Sequence, residues 1–396
     1  MNASRADRSD KLSVAADFKY EEAVLCPVGV TMETTYVRDT DGLLEAPGDC
    51  EADESVRGVL ILSTAATAPD PADVDPTLRG LSVPVFGGVF PEILHEGEKR
   101  ETGALVAGLA VEPRVTVVRG LGDPGTDFAA ALPGETPAGM TAFVLVDAYA
   151  TRVEDFVTSL FNAYGVGVNY VGGGAGSLEE DGRPCLFTGE GLLADAAVFA
   201  TVETPTSVGV RHGWEGIAGP FRVTEADGPT LAQLDGEPAF DVYRRVVESD
   251  AGVSIDPDDF FEVAKSYPFG LSRLEGEKIV RDPFEVTDDG ALTCFGHVPE
   301  GEFVHILKGD PDSLVAAAGE AYGEATDGGP DGEVLFFDCI SRVLYLEDAF
   351  AEELDAVGGA DSPTVGALTV GEIANDGEGH LDYYNKTAVA AVIREL

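Results

Sequence analysis

A pattern that occurs three times along the chain constrains its fold more than any other feature. Each copy begins with a short apolar run, at Gly58–Ser63, Ala142–Asp147 and Val334–Cys339. A glycine follows the first residue of each run after 29, 30 and 32 residues, at Gly87, Gly172 and Gly366. The similar spacing predicts an internal repeat, and the alternative is a chance likeness between ordinary strand-helix-strand units.

The order of elements within a copy predicts a layered sheet. In the second copy, residues 152–164 carry apolar side chains at a helical period. A helix between two apolar runs is the crossover that parallel strands need. We therefore predict that each copy consists of a strand, a crossover helix, a glycine turn, an acidic hairpin and a final strand.

The length of 396 residues predicts more than one domain. We predict an α/β (α+β) fold with two layered domains built on mixed β-sheets with crossover helices. Residues 1–54 are a polar leader and a poorly assigned segment, with an acidic loop at 39–54. The first domain spans 55–250 and the second 251–396. Helices are predicted at 240–249, 257–265 and 346–357, and an antiparallel meander at 280–286, 291–295 and 303–307.

The charge of the chain excludes several partners. With 72 acidic and 25 basic residues, the net charge is −47. A nucleic acid or an anionic membrane needs a basic face, so neither is expected to bind. The acidic surface is typical of a halophilic protein, in which salt screens the repulsion.

The apolar runs and the cysteines indicate where in the cell the protein is expected. No apolar run reaches the roughly 18 residues of a membrane span, and the first ten residues are polar. The five cysteines are widely spaced without a C-x-x-C pair, which argues against zinc and favours reduced thiols. These features predict a soluble, cytoplasmic protein without a bound metal.

The densest glycine cluster of the chain lies at residues 172–176. It lacks the G-x-G-x-x-G spacing and the P-loop lysine, and acidic residues follow it, so it does not predict a phosphate site. Gly172 and Gly173 instead predict a tight turn that lines a small-ligand pocket.

Polar residues near the third copy are the main candidates for ligand binding. Cys339 ends the third apolar run, at the strand end where open α/β sheets bind ligands. Arg342, Glu372 and Asn385 offer a guanidinium, a carboxylate and an amide, which suit the two charged groups of an amino-acid-like ligand. Capping of polar hairpins is the alternative. Cys339 as the nucleophile of an amide or ester hydrolase is a further hypothesis.

His212 has the most unusual setting of the five histidines, between Arg211 and Trp214. A hydrogen-bonded structural role is one interpretation. The alternative is an axial haem ligand or a contact to a bound anion.

The ordered set of these motifs resembles a known family. Residues 170–176, 187–189, 212–224 and 234–239 resemble the FIST N domain, and residues 267–270, 299–301, 337–342, 365–373 and 385–387 resemble the FIST C domain. FIST stands for F-box and intracellular signal transduction. The two predicted domains are therefore similar to FIST N and FIST C, in a haloarchaeal type of sequence.

The resemblance implies a sensory protein, not an enzyme, that binds an amino acid or a similar small metabolite. No output domain is recognisable in the sequence, so we expect a stand-alone sensor that signals through a separate partner, without a cofactor. One branch of the family resembles haem-binding nitric oxide sensors, which gives haem and His212 as the alternative.

Overall fold

A computed structural model describes residues 32–134, 139–178, 182–273, 277–326, 333–358, 364–375, 379–393 and 396. Most of the predicted leader and Cys26 lie outside this range. Within it, no helix is long and apolar enough to cross a membrane.

The first repeat unit begins one strand earlier than the sequence pattern indicates. Its elements are β1 (Glu33–Val37), α1 (Thr40–Glu51), β2 (Gly58–Thr64), α2 (Pro71–Gly80), β3 (Val85–Phe90), β4 (Glu92–His95), β5 (Glu98–Arg100) and β6 (Ala104–Leu109). The predicted acidic loop at 39–54 is wrong, since most of it is helix α1. The Asp39 side chain accepts a hydrogen bond from the Gly42 amide, and Leu43 and Ala46 are buried.

The second unit has the same order of elements. They are β7 (Arg114–Arg119), α3 (Phe128–Ala131), β8 (Met140–Asp147), α4 (Val153–Tyr164), β9 (Val168–Ala175), β10 (Leu186–Thr188), β11 (Gly191–Leu193) and β12 (Ala196–Val202). Helix α4 confirms the predicted helix at 152–164.

A separate antiparallel region follows β13 (Thr206–Arg211). It contains β14 (Glu215–Asp227), β15 (Thr230–Leu234), β16 (Glu237–Pro238), α5 (Ala239–Ala251), α6 (Phe260–Ala264), β17 (Phe269–Leu271), β18 (Ile279–Val286), β19 (Leu292–Phe295) and β20 (Phe303–Lys308). The strand order is β14-β20-β17-β18-β19-β15-β16. The predicted meander is therefore only partly correct, because the short strand β17 lies between β18 and β20.

The third unit continues after this insertion. Its elements are α7 (Pro311–Thr326), β21 (Glu333–Cys339), α8 (Ile340–Leu346), α9 (Phe350–Ala356), β22 (Val365–Thr369), β23 (Glu372–Ala374), β24 (Asp382–Tyr384) and β25 (Ala388–Ile393). The predicted single helix at 346–357 is wrong at its start, since a break at Glu347, with φ at 49°, separates α8 from α9.

Three six-stranded sheets have equivalent strand orders and confirm the repeat. The orders are β1-β6-β2-β3-β10-β11, β7-β12-β8-β9-β23-β24 and β13-β25-β21-β22-β4-β5. In each sheet the two strands joined by the crossover helix are parallel, and the last strand of the unit is antiparallel to them. The outer hairpin of each sheet comes from another unit, so the three units exchange hairpins in a ring. The fold class, α+β with mixed sheets and crossover helices, is confirmed.

The exchange joins the two predicted domains. Strand β4 pairs with β22, β23 pairs with β9, and β13 pairs with β25. The predicted division at residue 250 falls within α5. Three of the four sheets thus contain strands from both sides of that division.

The repeated glycines lie inside strands and not in turns, which corrects the prediction. A Cβ atom on Gly87, Gly172 or Gly366 would lie 1.9, 2.1 or 1.8 Å from the carbonyl oxygen of Ile61, Val144 or Phe336. Each glycine therefore permits close approach of the parallel neighbouring strand at the same place in its unit.

Replacing Gly366 by alanine tests this role of the glycines. We expect Gly366→Ala to lower the free energy of unfolding by about 1–3 kcal/mol, because the methyl group meets a main-chain carbonyl that cannot rotate away. The matched control is Gly48→Ala in α1, where an added Cβ has no neighbour within 4 Å outside its own helix. The control should gain about 0.5–1 kcal/mol from the lower chain entropy of alanine. Equal effects in denaturant titrations of both variants would contradict the account.

Candidate functional site

The carboxyl ends of strands from the second and third units enclose a cavity of about 300 Å³. Cys339 is the last residue of β21, Gly371 lies between β22 and β23, and Tyr149 follows β8. We call this cavity the Cys339 pocket. Its lining comprises Tyr149, Leu178, Phe261, Phe284, Phe295, Cys339, Ile340, Ser341, Leu344, Val370, Gly371 and Asn385.

Apolar side chains form most of the lining of the pocket. The rings of Phe284 and Phe295 lie 4.5 Å apart and form one wall. Polar atoms are few and held in place. The Tyr149 hydroxyl donates to the Ser177 carbonyl at 2.6 Å, and the Asn385 amide donates to the Phe295 carbonyl at 3.3 Å. The pocket therefore suits a compact ligand that is mainly apolar.

Glu372 lies behind Cys339 and is fully buried. Its carboxyl group accepts hydrogen bonds from the Thr369 hydroxyl at 2.8 Å, the Thr387 amide at 3.3 Å and the Cys339 thiol. Burial raises the pKa of Glu372 to about 8, because the charged form loses its hydration. At neutral pH the carboxyl group is therefore mostly protonated.

The Cys339 thiol is also in its neutral form. Burial raises its pKa above the usual value, and the neighbouring Glu372 raises it further. The thiolate is the nucleophile in cysteine chemistry, so this environment disfavours nucleophilic attack.

Arg342 does not line the pocket and is fully buried. Its Nε atom lies 3.0 Å from Asp338 Oδ1, and Nη2 pairs with Glu353. The remaining N–H groups donate to main-chain carbonyls, among them His212 at 2.7 Å and Leu314 at 3.0 Å. The guanidinium thus joins β13, α7, β21 and α9 and has no donor left for a ligand carboxylate.

His212 also lies away from the pocket and is 5% exposed. Its Nδ1 atom accepts the Trp214 amide at 2.8 Å, and Nε2 lies 2.8 Å from Glu277 Oε2. Both ring nitrogens are engaged, so this residue does not fit the role of an axial haem ligand.

Gly172 and Gly173 lie behind the pocket, in β9. A Cβ on Gly173 would come within 2.5 Å of the Gly371 carbonyl, and the Gly174 amide donates to that carbonyl at 2.8 Å. Gly173 and Gly174 therefore position Gly371, which does line the cavity, whereas Gly172 lies against Val144 of β8.

Of the predicted site residues, the structure brings Cys339, Glu372 and Asn385 together and places Arg342 and His212 elsewhere. Sequence reasoning missed the aromatic wall. Phe284 and Phe295 flank the turn at 288–290, a signal that could have drawn attention to them. Ser341 and Leu344, within one helical turn of Ile340, were also missed.

The cavity lies where two matched domains meet. The family profile of the FIST N domain matches residues 58–237, and that of the FIST C domain matches residues 239–375. The chain belongs to the FIST family. No curated protein matches the sequence significantly. FIST domains are sensory domains of signal transduction, which indicates small-ligand sensing.

Both FIST domains contribute to the Cys339 pocket. Tyr149 and Leu178 belong to the FIST N match, and most other lining residues belong to the FIST C match. Asn385 follows the FIST C match, and Glu372 on β23 pairs with Gly173 on β9 of FIST N. A ligand in the pocket would therefore contact both domains.

Proposed function

We propose that this FIST protein is a small-ligand sensor whose ligand occupies the Cys339 pocket and that it signals through a separate partner protein. The observation that supports this is a cavity of about 300 Å³ lined by both FIST domains. A ligand that binds one conformation of the pocket more tightly than another would shift the equilibrium between those conformations.

The lining favours an amino acid with an apolar side chain, or a metabolite of similar chemistry. Phe261, Phe284 and Phe295 would contact the apolar part. The Tyr149 and Ser341 hydroxyls and the Asn385 amide would meet the polar groups. Arg342 is committed to Asp338 and Glu353, so recognition of a carboxylate would rest on neutral donors.

A thermal-shift screen of single amino acids tests the proposal. We expect leucine, methionine or phenylalanine to raise the melting temperature saturably, and aspartate and lysine to have no such effect. At a hundredfold excess over Kd the gain in stability is about 2.7 kcal/mol. No response to any apolar amino acid at millimolar concentration, in high salt, would contradict the proposal.

We propose a binding role and not catalysis. The neutral Cys339 thiol argues against a cysteine hydrolase, since burial raises its pKa. Hydrolysis of an amide or ester by the parent protein that disappears in Cys339→Ala would establish the alternative.

We also propose that the protein works without haem. Among the residues that the structure describes, none of those lining the Cys339 pocket is a histidine, and the nitrogens of His212 are engaged. Addition of haemin should give no sharp Soret band. A band that His212→Ala abolishes would overturn this point.

A further inference from the structure

A second cavity, of about 210 Å³, shares no lining residue with the Cys339 pocket. It lies among α4, β17, β18 and β24, and its lining is predominantly polar. The polar residues that line it include Arg281, Glu154, Thr158, Arg273, His297 and Asp382. We call it the Arg281 cavity.

Arg281 is 4% exposed, and its side chain lines the cavity. Its Nε atom donates to the His297 carbonyl at 2.8 Å. Nη1 donates to the carbonyls of Val280 and Tyr383, each at 3.0 Å. These bonds use three of the five N–H donors of the guanidinium and leave the two on Nη2.

Arg281 has no carboxylate partner within the part of the chain that the structure describes, where no acidic oxygen lies within 4.0 Å of its nitrogens. The nearby acids are engaged elsewhere. Glu154 accepts the His297 amide at 2.8 Å, and Asp382 pairs with Arg273 at 2.7 Å. A buried cation without a direct ion pair is unfavourable, and the charges of Glu154 and Asp382 offset only part of this cost for Arg281. An anion bound to Nη2 would supply the direct partner.

We propose that the Arg281 cavity binds a small monocarboxylate. A carboxylate can accept both N–H groups of Nη2. Glu154, Glu302 and Asp382 also line the cavity, so Arg281 can offset one negative charge of a ligand but not two, which disfavours dicarboxylates. The His297 ring and the Thr158 hydroxyl would receive a polar substituent such as a hydroxyl group. This site is additional to the Cys339 pocket and differs from it in ligand chemistry.

Binding can be tested with sodium lactate and sodium succinate, each replacing sodium chloride at constant ionic strength so that screening is unchanged. We expect lactate to raise the melting temperature saturably. The midpoint for succinate should be at least about tenfold higher, which corresponds to about 1.4 kcal/mol. A linear or absent response to lactate, or an equal midpoint for succinate, would overturn the proposal.

Variants of the lining residues test whether the rise in melting temperature with lactate comes from binding in the Arg281 cavity. Arg281→Gln removes the charge but also three main-chain hydrogen bonds, so its folding is at risk. Thr158→Trp is the better variant, because Thr158 is exposed on α4 and a large ring there fills the cavity from its rim. Its matched control is Asn162→Trp, exposed one turn later on the same helix.

Loss of the lactate response in Thr158→Trp with an unchanged response in Asn162→Trp supports the proposal. A full response in Thr158→Trp contradicts it. Leu344→Trp, which obstructs the Cys339 pocket, should leave the lactate response intact. Failure of this inference is therefore distinguishable from failure of the proposed function.

Discussion

Arg342→Met will lower the free energy of unfolding by about 3–5 kcal/mol, the range for removal of one partner from a buried ion pair. The variant leaves Glu353 fully buried without its cation, and it leaves the buried Asp338, whose pKa is raised by burial and by the neighbouring Glu353, without its guanidinium partner. It also removes the hydrogen bonds that the guanidinium donates to the carbonyls of His212 and Leu314. Denaturant titration of parent and variant, both fitted to a two-state transition, measures the loss in the free energy of unfolding.

Two further variants make this prediction specific. Arg245→Met removes an exposed arginine that pairs with Glu237 and should leave stability almost unchanged. Combining Arg342→Met with Asp338→Asn and Glu353→Gln removes the unpaired charges and should restore part of the loss. A loss in Arg342→Met no larger than that in Arg245→Met would show that Arg342 does not hold its neighbouring elements together.

Glu372→Gln will change how stability depends on pH. The folded pKa of Glu372 is about 8 and the model-peptide value is 4.5, so between these values only the unfolded chain releases the proton. Stability is therefore full below the unfolded pKa and falls as the pH rises towards 8. Between pH 6 and pH 8 this one group should lower the free energy of unfolding by about 2–3 kcal/mol.

The difference between parent and variant isolates this effect. In Glu372→Gln, the fall in the free energy of unfolding that comes from Glu372 should be absent. The variant should therefore become more stable relative to the parent as the pH rises from 6 to 8. Glu262→Gln, at an exposed residue that pairs with Lys265, is the control and should follow the parent. An identical pH dependence in the parent and in Glu372→Gln would mean that Glu372 is ionised in the folded protein at neutral pH.

The repeat was predictable because its signals are local. The apolar runs and the spacing of Gly87, Gly172 and Gly366 follow from the unit itself, in which a crossover helix returns the chain to a parallel strand. The exchange of hairpins was not predictable, since β4 pairs with β22 across most of the chain. A single sequence carries no signal for that pairing.

The site was predicted in part for the same reason. Glu372 comes three residues after β22, and Asn385 comes three residues before β25. Because β22 and β25 are the two neighbours of β21, the proximity of these residues to Cys339 follows from the predicted unit. Arg342 was misplaced because it lies in helix α8, which was not predicted, and the break after α8 brings Glu353 of α9 back to it. The aromatic wall comes from the inserted antiparallel region, whose position against the third unit depends on tertiary packing.

Titration calorimetry with the apolar amino acid that gives the largest thermal shift tests whether the Cys339 pocket holds the ligand. Leu344 is 42% exposed at the rim of the Cys339 pocket, and Val253 is 48% exposed outside it. We expect saturable binding to the parent and to Val253→Trp. In Leu344→Trp the affinity should fall at least about tenfold, which corresponds to about 1.4 kcal/mol. Equal affinity for both tryptophan variants would contradict the claim that the Cys339 pocket holds the ligand.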